Sequence, residues 1–283
     1  MIIVNQLKMR YLFITLLMIT VLCHVSIAQI QSAPVSEFDA SDPAIMKSRV
    51  TADFESYFFV AGARFYAMRF GYEYGLQNQK HLFGLSLPLV HNIYLADYGG
   101  YENTSGVGDL KMRYMFVPLQ KSDNTGLQQV STYFEMTAPT GASELGRGTG
   151  TWVYKPGVIF TFRPNPFVAF YPEIKYSFST KEANSLGGDG APDQGDTGID
   201  GFIKNLNISV PAVALVTNWK GWVGMNATYI QSFSEDTYYV FLRLDFGKMV
   251  GEKTSASLNI TKFIAGQPRL DAMVQAKFQF FIR

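Results

Sequence analysis

From residue 50 to its end, the chain alternates apolar and polar side chains. The pattern is cleanest over 270–280. There Leu270, Ala272, Val274, Ala276, Phe278 and Phe280 share one side, and Asp271, Met273, Gln275, Lys277 and Gln279 share the other. A period of two with one apolar and one wet face predicts a strand. The same rhythm predicts eleven strands before it, over 50–60, 66–74, 83–89, 109–116, 130–136, 152–162, 168–178, 205–214, 223–229, 240–246 and 256–261. Twelve strands in sequence, the last pairing with the first so that no sheet edge is left, predict an all-β, antiparallel up-and-down barrel.

The connections support a barrel that crosses a bilayer. Short polar links at 77–80, 120–126, 164–166, 218–221 and 248–253 alternate with longer Gly-rich ones at 91–106, 139–150 and 181–201; the links at 234–237 and 265–268 are short as well. Short turns at one end and longer loops at the other are typical of outer-membrane barrels. Outside residues 11–23 no long apolar run occurs, so a bilayer would be crossed by strands rather than helices. A soluble sandwich has the same period. It is disfavoured by aromatics near many strand ends and by charges on the polar face of nearly every strand.

Residues 1–28 read as a secretory signal peptide. Lys8 and Arg10 precede the apolar run 11–23, and Val25-Ser26-Ile27-Ala28 offers a small-x-small cleavage site after Ala28. Cys23 follows Leu22, where a lipoprotein signal would place a small residue. Cleavage removes this one cysteine, so the mature chain has no thiol chemistry. It also removes two cations and no acid, which takes the formal net charge from +1 to a slight negative value and leaves no basic surface for nucleic acid. The expected organisation is a signal peptide over 1–28, a polar N-terminal segment over 29–49 and a barrel over 50–283.

Four motifs resemble a family of outer-membrane proteins labelled "transporter" or meta-pathway phenol-degradation proteins. Gly106-Val107-Gly108-Asp109-Leu110 resembles its GxGD box, and Glu135-Met136-Thr137-Ala138-Pro139-Thr140-Gly141 its L-P-T-G segment. Gly146-x-Gly148-Thr149-Gly150 resembles its G-x-G-T-G loop, and Leu85-Ser86-Leu87-Pro88-Leu89 a strand upstream. The chain departs from the pattern with Ala138 and with its Phe281-Ile282-Arg283 end. The resemblance implies an outer-membrane barrel that passes small, in part hydrophobic, compounds, with no catalytic residue.

The candidate functional residues are the charges expected on the inner face: Arg69, Glu73, Asp109, Lys111, Arg113, Glu135, Lys155, Glu173, Lys175, Arg243, Asp245 and Lys277. With both signs mixed they form either a rigid ion-pair lattice or a weakly selective constriction. One bulge would turn every later side chain of its strand to the other face. Gly106-x-Gly108-Asp109 lacks the Lys-Ser/Thr of a phosphate loop and precedes a strand, so it reads as a turn. Asp189, Asp193, Asp196 and Asp200 form an oxygen-rich cluster of the kind calcium takes, but without the spacing of an EF-hand loop, so the segment reads as a solvated outer loop. The sequons at Asn207, Asn226 and Asn259 read as inward strand positions. His81 and His91 are the histidines of the mature chain, with no recognisable Ser partner, so no enzyme, cofactor or metal is expected.

The reading as a whole is a monomeric barrel in the bacterial outer membrane, partnered by lipid and by a small solute that crosses passively. The alternative is a plugged structural or adhesive barrel that acts through its outer loops. A third possibility is a lateral opening, for which Pro88, Pro156, Pro172 and Pro211 are the candidate breaks in the ladder.

Overall fold

The computed structural model describes residues 40–59, 63–93, 103–121, 125–181, 183–184, 200–266 and 270–282. Residues 1–39, which take in the expected signal peptide and much of the polar segment, and Asp189, Asp193 and Asp196 lie outside them. Twelve antiparallel strands close a barrel. They are β1 (Arg49–Phe59), β2 (Arg64–Gly75), β3 (His81–Ile93), β4 (Thr104–Val107 and Leu110–Gln120), β5 (Gly126–Ala138), β6 (Val153–Asn165), β7 (Val168–Phe170 and Glu173–Ser179), β8 (Lys204–Val216), β9 (Gly221–Ser232), β10 (Thr237–Met249), β11 (Thr254–Gly266) and β12 (Leu270–Phe281). Each pairs with its sequence neighbours, and β12 pairs with β1 from Arg49↔Phe281 to Phe59↔Leu270. Ala183–Asn184 and Asp200–Gly201 form a separate two-stranded ribbon.

Away from the irregularities described below, the alternation places side chains as expected. Val50, Phe54, Phe70, Tyr72, Tyr74, Phe83, Leu85, Leu87 and Leu89 are exposed on the outer wall, whereas Thr51, Asp53, Glu55, Arg69, Asn205, Asn207 and Ser209 are buried on the inner one. An apolar exterior around a polar interior inverts a soluble protein and suits hydrocarbon. Aromatics group near the strand ends, with Phe83 tilted against Tyr114 at 5.0 Å and Tyr229 stacked on Tyr238 at 6.1 Å. Among the described residues no helix is long and apolar enough to span a membrane.

The register shifts between Phe116 and Leu119, between Leu127 and Gln129 and between Val240 and Phe241, and three further irregularities bear on the site. The β1–β12 register shifts between Phe58 and Phe59, so that Asp271 is skipped and Leu270 turns inward onto Tyr57 and Met273. This corrects the expected faces of both residues. Asp271 instead meets Lys262 at 2.6 Å in the open. At β7, Tyr171 and Pro172 break the strand, yet the break is stitched on both sides: Phe160 N–H donates to the Pro172 carbonyl and Tyr171 N–H to the Pro211 carbonyl, both at 2.9 Å. At β4, Gly108 and Asp109 separate the two pieces, and Gly108 N–H donates to the Pro88 carbonyl at 2.9 Å.

Residues 40–48 do not hang below the barrel. They turn into its short-turn end, where Ala40, Ala44 and Met46 are buried against Leu82, Met115, Val117, Tyr133, Tyr171, Val213, Trp222 and Phe281. Gln129 Nε2 donates to the Ala44 carbonyl at 3.0 Å, and Gly75 N–H donates to Ser48 Oγ at 3.0 Å. Gly75 permits this approach, because a Cβ there would lie 2.2 Å from the Met46 carbonyl oxygen. A second apolar cluster, including Tyr57, Phe65, Ile230, Tyr239, Phe241 and Met273, lines the inner wall near the long-loop end.

The seat of the N-terminal segment gives the first prediction. Gly75→Val puts a branched side chain against the Met46 carbonyl and should displace residues 40–47, at a cost that overpacking sets at ~1–3 kcal/mol. Trypsin should then cut after Lys47 about tenfold faster, while the barrel keeps its heat-modifiable mobility on gels. An unchanged cutting rate would show that the segment is not seated through this contact.

Candidate functional site

The inward charges lie in cross-strand rows. One row runs Arg49, Glu73, Gly84, Arg113, Glu135 and Lys155 over β1 to β6, each directly opposite the next. Signs alternate along it, with Gly84 as a gap between Glu73 and Arg113. Opposite charges facing each other on one side of a sheet stabilise the pair, and like charges there would repel. Arg49 is ion-paired with Glu73, and Lys155 lies 4.0 Å from Glu135. A second row sets Lys277 opposite Asp53 and Asp53 opposite Arg69. Arg69 reaches Glu55 at 3.5 Å, and Glu55 also accepts from Tyr57 Oη at 2.9 Å and Gln275 Nε2 at 3.1 Å. On β10, Arg243 pairs with Asp245 at 2.8 Å.

These rows surround a chamber of about 360 Å³ inside the barrel. Its wall includes seven of the twelve residues expected from the sequence: Glu73, Arg113, Glu173, Lys175, Arg243, Asp245 and Lys277. Ala40, Ser41, Asp42 and Pro43 of the N-terminal segment also line it, and so do Tyr171, Val213 and Trp222. The other five expected residues lie elsewhere. Arg69 is held by Glu55, and Glu135 and Lys155 pair with each other. Lys111 is buried at the level of Thr137 and Ser86, and Asp109 belongs to a loop clasp described below. Asn207, Asn226 and Asn259, the sequon residues, are buried on the chamber wall.

Two aromatics lie flat along the inner wall. A Cβ on Gly157 would be 2.4 Å from the Tyr133 ring, and one on Gly247 would be 2.0 Å from the Trp222 ring. The Arg113 guanidinium sits 4.9 Å from the centre of the Tyr133 ring, and the Tyr133 hydroxyl donates to Glu173. Sequence reasoning missed Arg49, which it left in the polar segment, and the part played by Glu55, Tyr133 and Trp222. Alternation places such residues on a face, but the register decides which of them meet.

The glycine-rich motifs converge at the long-loop end. Asp109 is fully buried. Its carboxylate accepts from Gly141 N–H at 2.8 Å, from Thr149 N–H at 2.7 Å and from Thr149 Oγ1 at 2.8 Å. Thr140 Oγ1 donates to the Gly108 carbonyl at 3.1 Å and accepts from Leu110 N–H at 2.9 Å. Asn92 Nδ2 donates to the Gly146 carbonyl at 2.7 Å, and Arg147 Nη1 to the Ser105 carbonyl at 2.7 Å. A Cβ at Gly141 would lie 2.2 Å from the Arg147 carbonyl oxygen, and one at Gly148 2.5 Å from Asp109 Oδ1. The motif glycines and Asp109 therefore clasp loop 139–152 onto the start of β4. This agrees with the turn reading and goes beyond it.

The two histidines lie at opposite ends of β3. His81 Nδ1 is 2.8 Å from Tyr114 Oη, and His91 Nδ1 is 2.6 Å from Ser105 Oγ, both exposed. The second contact corrects the expectation that no Ser partners a histidine. The pair is separated by 14 residues and arises from strand pairing, His91↔Ser105. The His91 ring stacks near Tyr66 at 6.4 Å. Among the described residues, no carboxylate or amide holds its other nitrogen, and no group of three acids, histidines or cysteines is arranged for a metal.

Closed topology, apolar exterior and polar, partly filled lumen define a bacterial outer-membrane type of β-barrel. The model of the family described as "Putative MetA-pathway of phenol degradation" matches residues 40–247, and the chain belongs to that family. The fold is similar to that of an outer membrane channel from Pseudomonas putida F1, with a TM-score of 0.61 at 11% identity, covering 88% of this chain and 99% of the other. It is also similar to the NanC porin, with a TM-score of 0.52 at 10% identity, and to the KdgM porin, with 0.51 at 9%; each likeness covers 83% of this chain and 100% of the porin. No curated protein sequence matches.

The clasp gives the second prediction. Asp109→Ala removes three charge-assisted hydrogen bonds at one point and should destabilise loop 139–152 locally by roughly 2–3 kcal/mol. Hydrogen exchange at Gly141 and Thr149 amides should accelerate about 30-fold or more, with little change in the amides of β9 to β11. Equal protection in the variant would mean that the clasp does not hold the loop.

Proposed function

We propose that the mature chain, cut after Ala28, sits as a monomer in the outer membrane and lets small solutes pass passively along its lumen. The observation that carries this reading is the chamber of about 360 Å³ within the barrel, bounded below by residues 40–43 and walled by polar groups. Its volume lies within the range of small-molecule sites, roughly 300–1,000 Å³. The apolar cluster of Tyr57, Phe65, Ile230, Tyr239, Phe241 and Met273 gives solutes with a hydrophobic part a surface on the long-loop side. The N-terminal segment narrows the other end and sets the resistance of the path.

Planar-bilayer recordings test this directly. The intact protein should show small single-channel conductance, and deletion of residues 29–46 should raise it severalfold. Silence in both would sink the channel reading and leave a plugged barrel that acts through its loops.

The reading is not enzymatic. His91 and Ser105 face outward, no group among the described residues orients the imidazole, and a nucleophile–base pair needs such a third partner to be activated well. His91→Ala should leave lipid hydrolysis by purified protein at the background rate of the unmodified chain, and should leave conductance unchanged. Hydrolysis by the unmodified chain that disappears in His91→Ala would overturn the non-enzymatic reading.

A further inference from the structure

The chamber's formal charges balance, but their bonding does not. Five carboxylates line it, and each is held within the protein. Asp42 accepts from Ala44 N–H at 2.8 Å. Glu55 accepts from Tyr57 and Gln275, and Glu73 is paired with Arg49. Glu173 accepts from Tyr133 Oη and from Ser209 Oγ, the latter at 3.3 Å, and Asp245 is paired with Arg243.

The cations on the same wall are treated differently. Arg49 and Arg243 are taken up by those pairs. Among the described residues, Arg113, Lys175 and Lys277 form no ion pair. Lys277 has Asp53 opposite it across the β1–β12 seam, which offsets part of its charge. Arg113 has Glu135 opposite it, but its guanidinium lies over the Tyr133 ring and its buried Nε has no hydrogen-bond partner. Lys175 lies in the same row as Tyr133, with the side-chain-free Gly157 between them. Two cations thus flank one aromatic ring, and both have donors left over.

A donor kept from bulk water without an acceptor is costly, and an entering anion relieves that cost. Among the described residues an entering cation finds the wall carboxylates already bonded, which leaves it the amide oxygens of Asn207, Asn226 and Gln279. Below these donors Pro43, Tyr171, Val213 and Trp222 give the wall apolar surface, beside Ser41 and Asp42. We infer that the chamber is a binding site for a small organic carboxylate, whose anionic group lies against Arg113 and Lys175 and whose apolar body rests on the side of Tyr171 and Trp222. The inference deepens the channel reading by naming the class of solute that the chamber retains, and it rests on that reading for its role in passage.

Calorimetric titration of the full mature chain in lipid nanodiscs tests it, with benzoate, benzamide and benzylamine as probes of one shape and three charges. Benzoate should bind at least tenfold more tightly than either of the others, the factor expected for one added charge-assisted hydrogen bond. Lys175→Met should weaken benzoate about tenfold, and Lys175→Arg should keep most of the affinity. Lys262→Met, on the exposed pair outside the barrel, should change nothing. Equal affinity for benzoate and benzamide overturns the inference without any variant, and so does a Lys175→Met protein that binds benzoate as before. Because binding is read without flux, a non-conducting barrel that still prefers benzoate defeats the channel reading alone. A conducting barrel with no preference defeats this inference alone.

Discussion

The closing of the ladder between β1 and β12 is the constraint on which the rest of the molecule depends. In hydrocarbon an unpaired backbone N–H or carbonyl has no water to turn to. A row of twelve strands with two free edges is therefore excluded, whereas the pairing from Arg49↔Phe281 onward leaves no edge. The same pairing sets the register around the ring. Register brings Lys277 opposite Asp53 and, through β2 and β3, aligns Glu73 with Arg113. It also places the N-terminal segment. Ile282 N–H donates to the Ser48 carbonyl at 2.9 Å, so the seam continues past the last strand and turns the preceding residues inward.

The interior follows from what the exterior must be. With apolar side chains spent on the outer wall, the inner wall is left with charges and amides that have to satisfy one another. Breaking a buried pair costs several times what an exposed pair contributes, because the remaining charge stays uncompensated. The alternating row from Arg49 to Lys155 meets most of that demand by setting charges opposite their counterparts, with Arg113 the exception. Apolar packing narrows the short-turn end and lines the other, so the polar stretch between them is a chamber rather than a uniform tube.

Much of this was legible in the chain. A period of two is set by backbone geometry alone, so the outward row of Phe83, Leu85, Leu87 and Leu89 and the inward Arg69 and Glu73 follow from counting. Strand number and the alternation of link lengths followed as well. Leu270 and Asp271 did not, because a skipped residue in the pairing changes faces without leaving a mark on composition. The seat of Ala40, Ala44 and Met46 was also hidden, since a segment held by close contacts inside a cylinder has no periodicity to show. The meeting of Arg113 with Tyr133, and of His91 with Ser105, depends on which residues stand opposite each other. The glycine-rich motifs announced a turn, but the carboxylate that gathers it is a single Asp109 with nothing unusual about its spacing.

Tyr133 lies over Gly157 and Trp222 over Gly247. A cylinder of twelve strands has its radius fixed by strand number and stagger, and large rings pointing at its axis would block it. Laid along the wall over residues without side chains, they leave the centre open. The bore is thus governed less by how many strands enclose it than by which side chains can recline. Width in such a barrel is a property of its glycines, adjustable one position at a time without adding a strand.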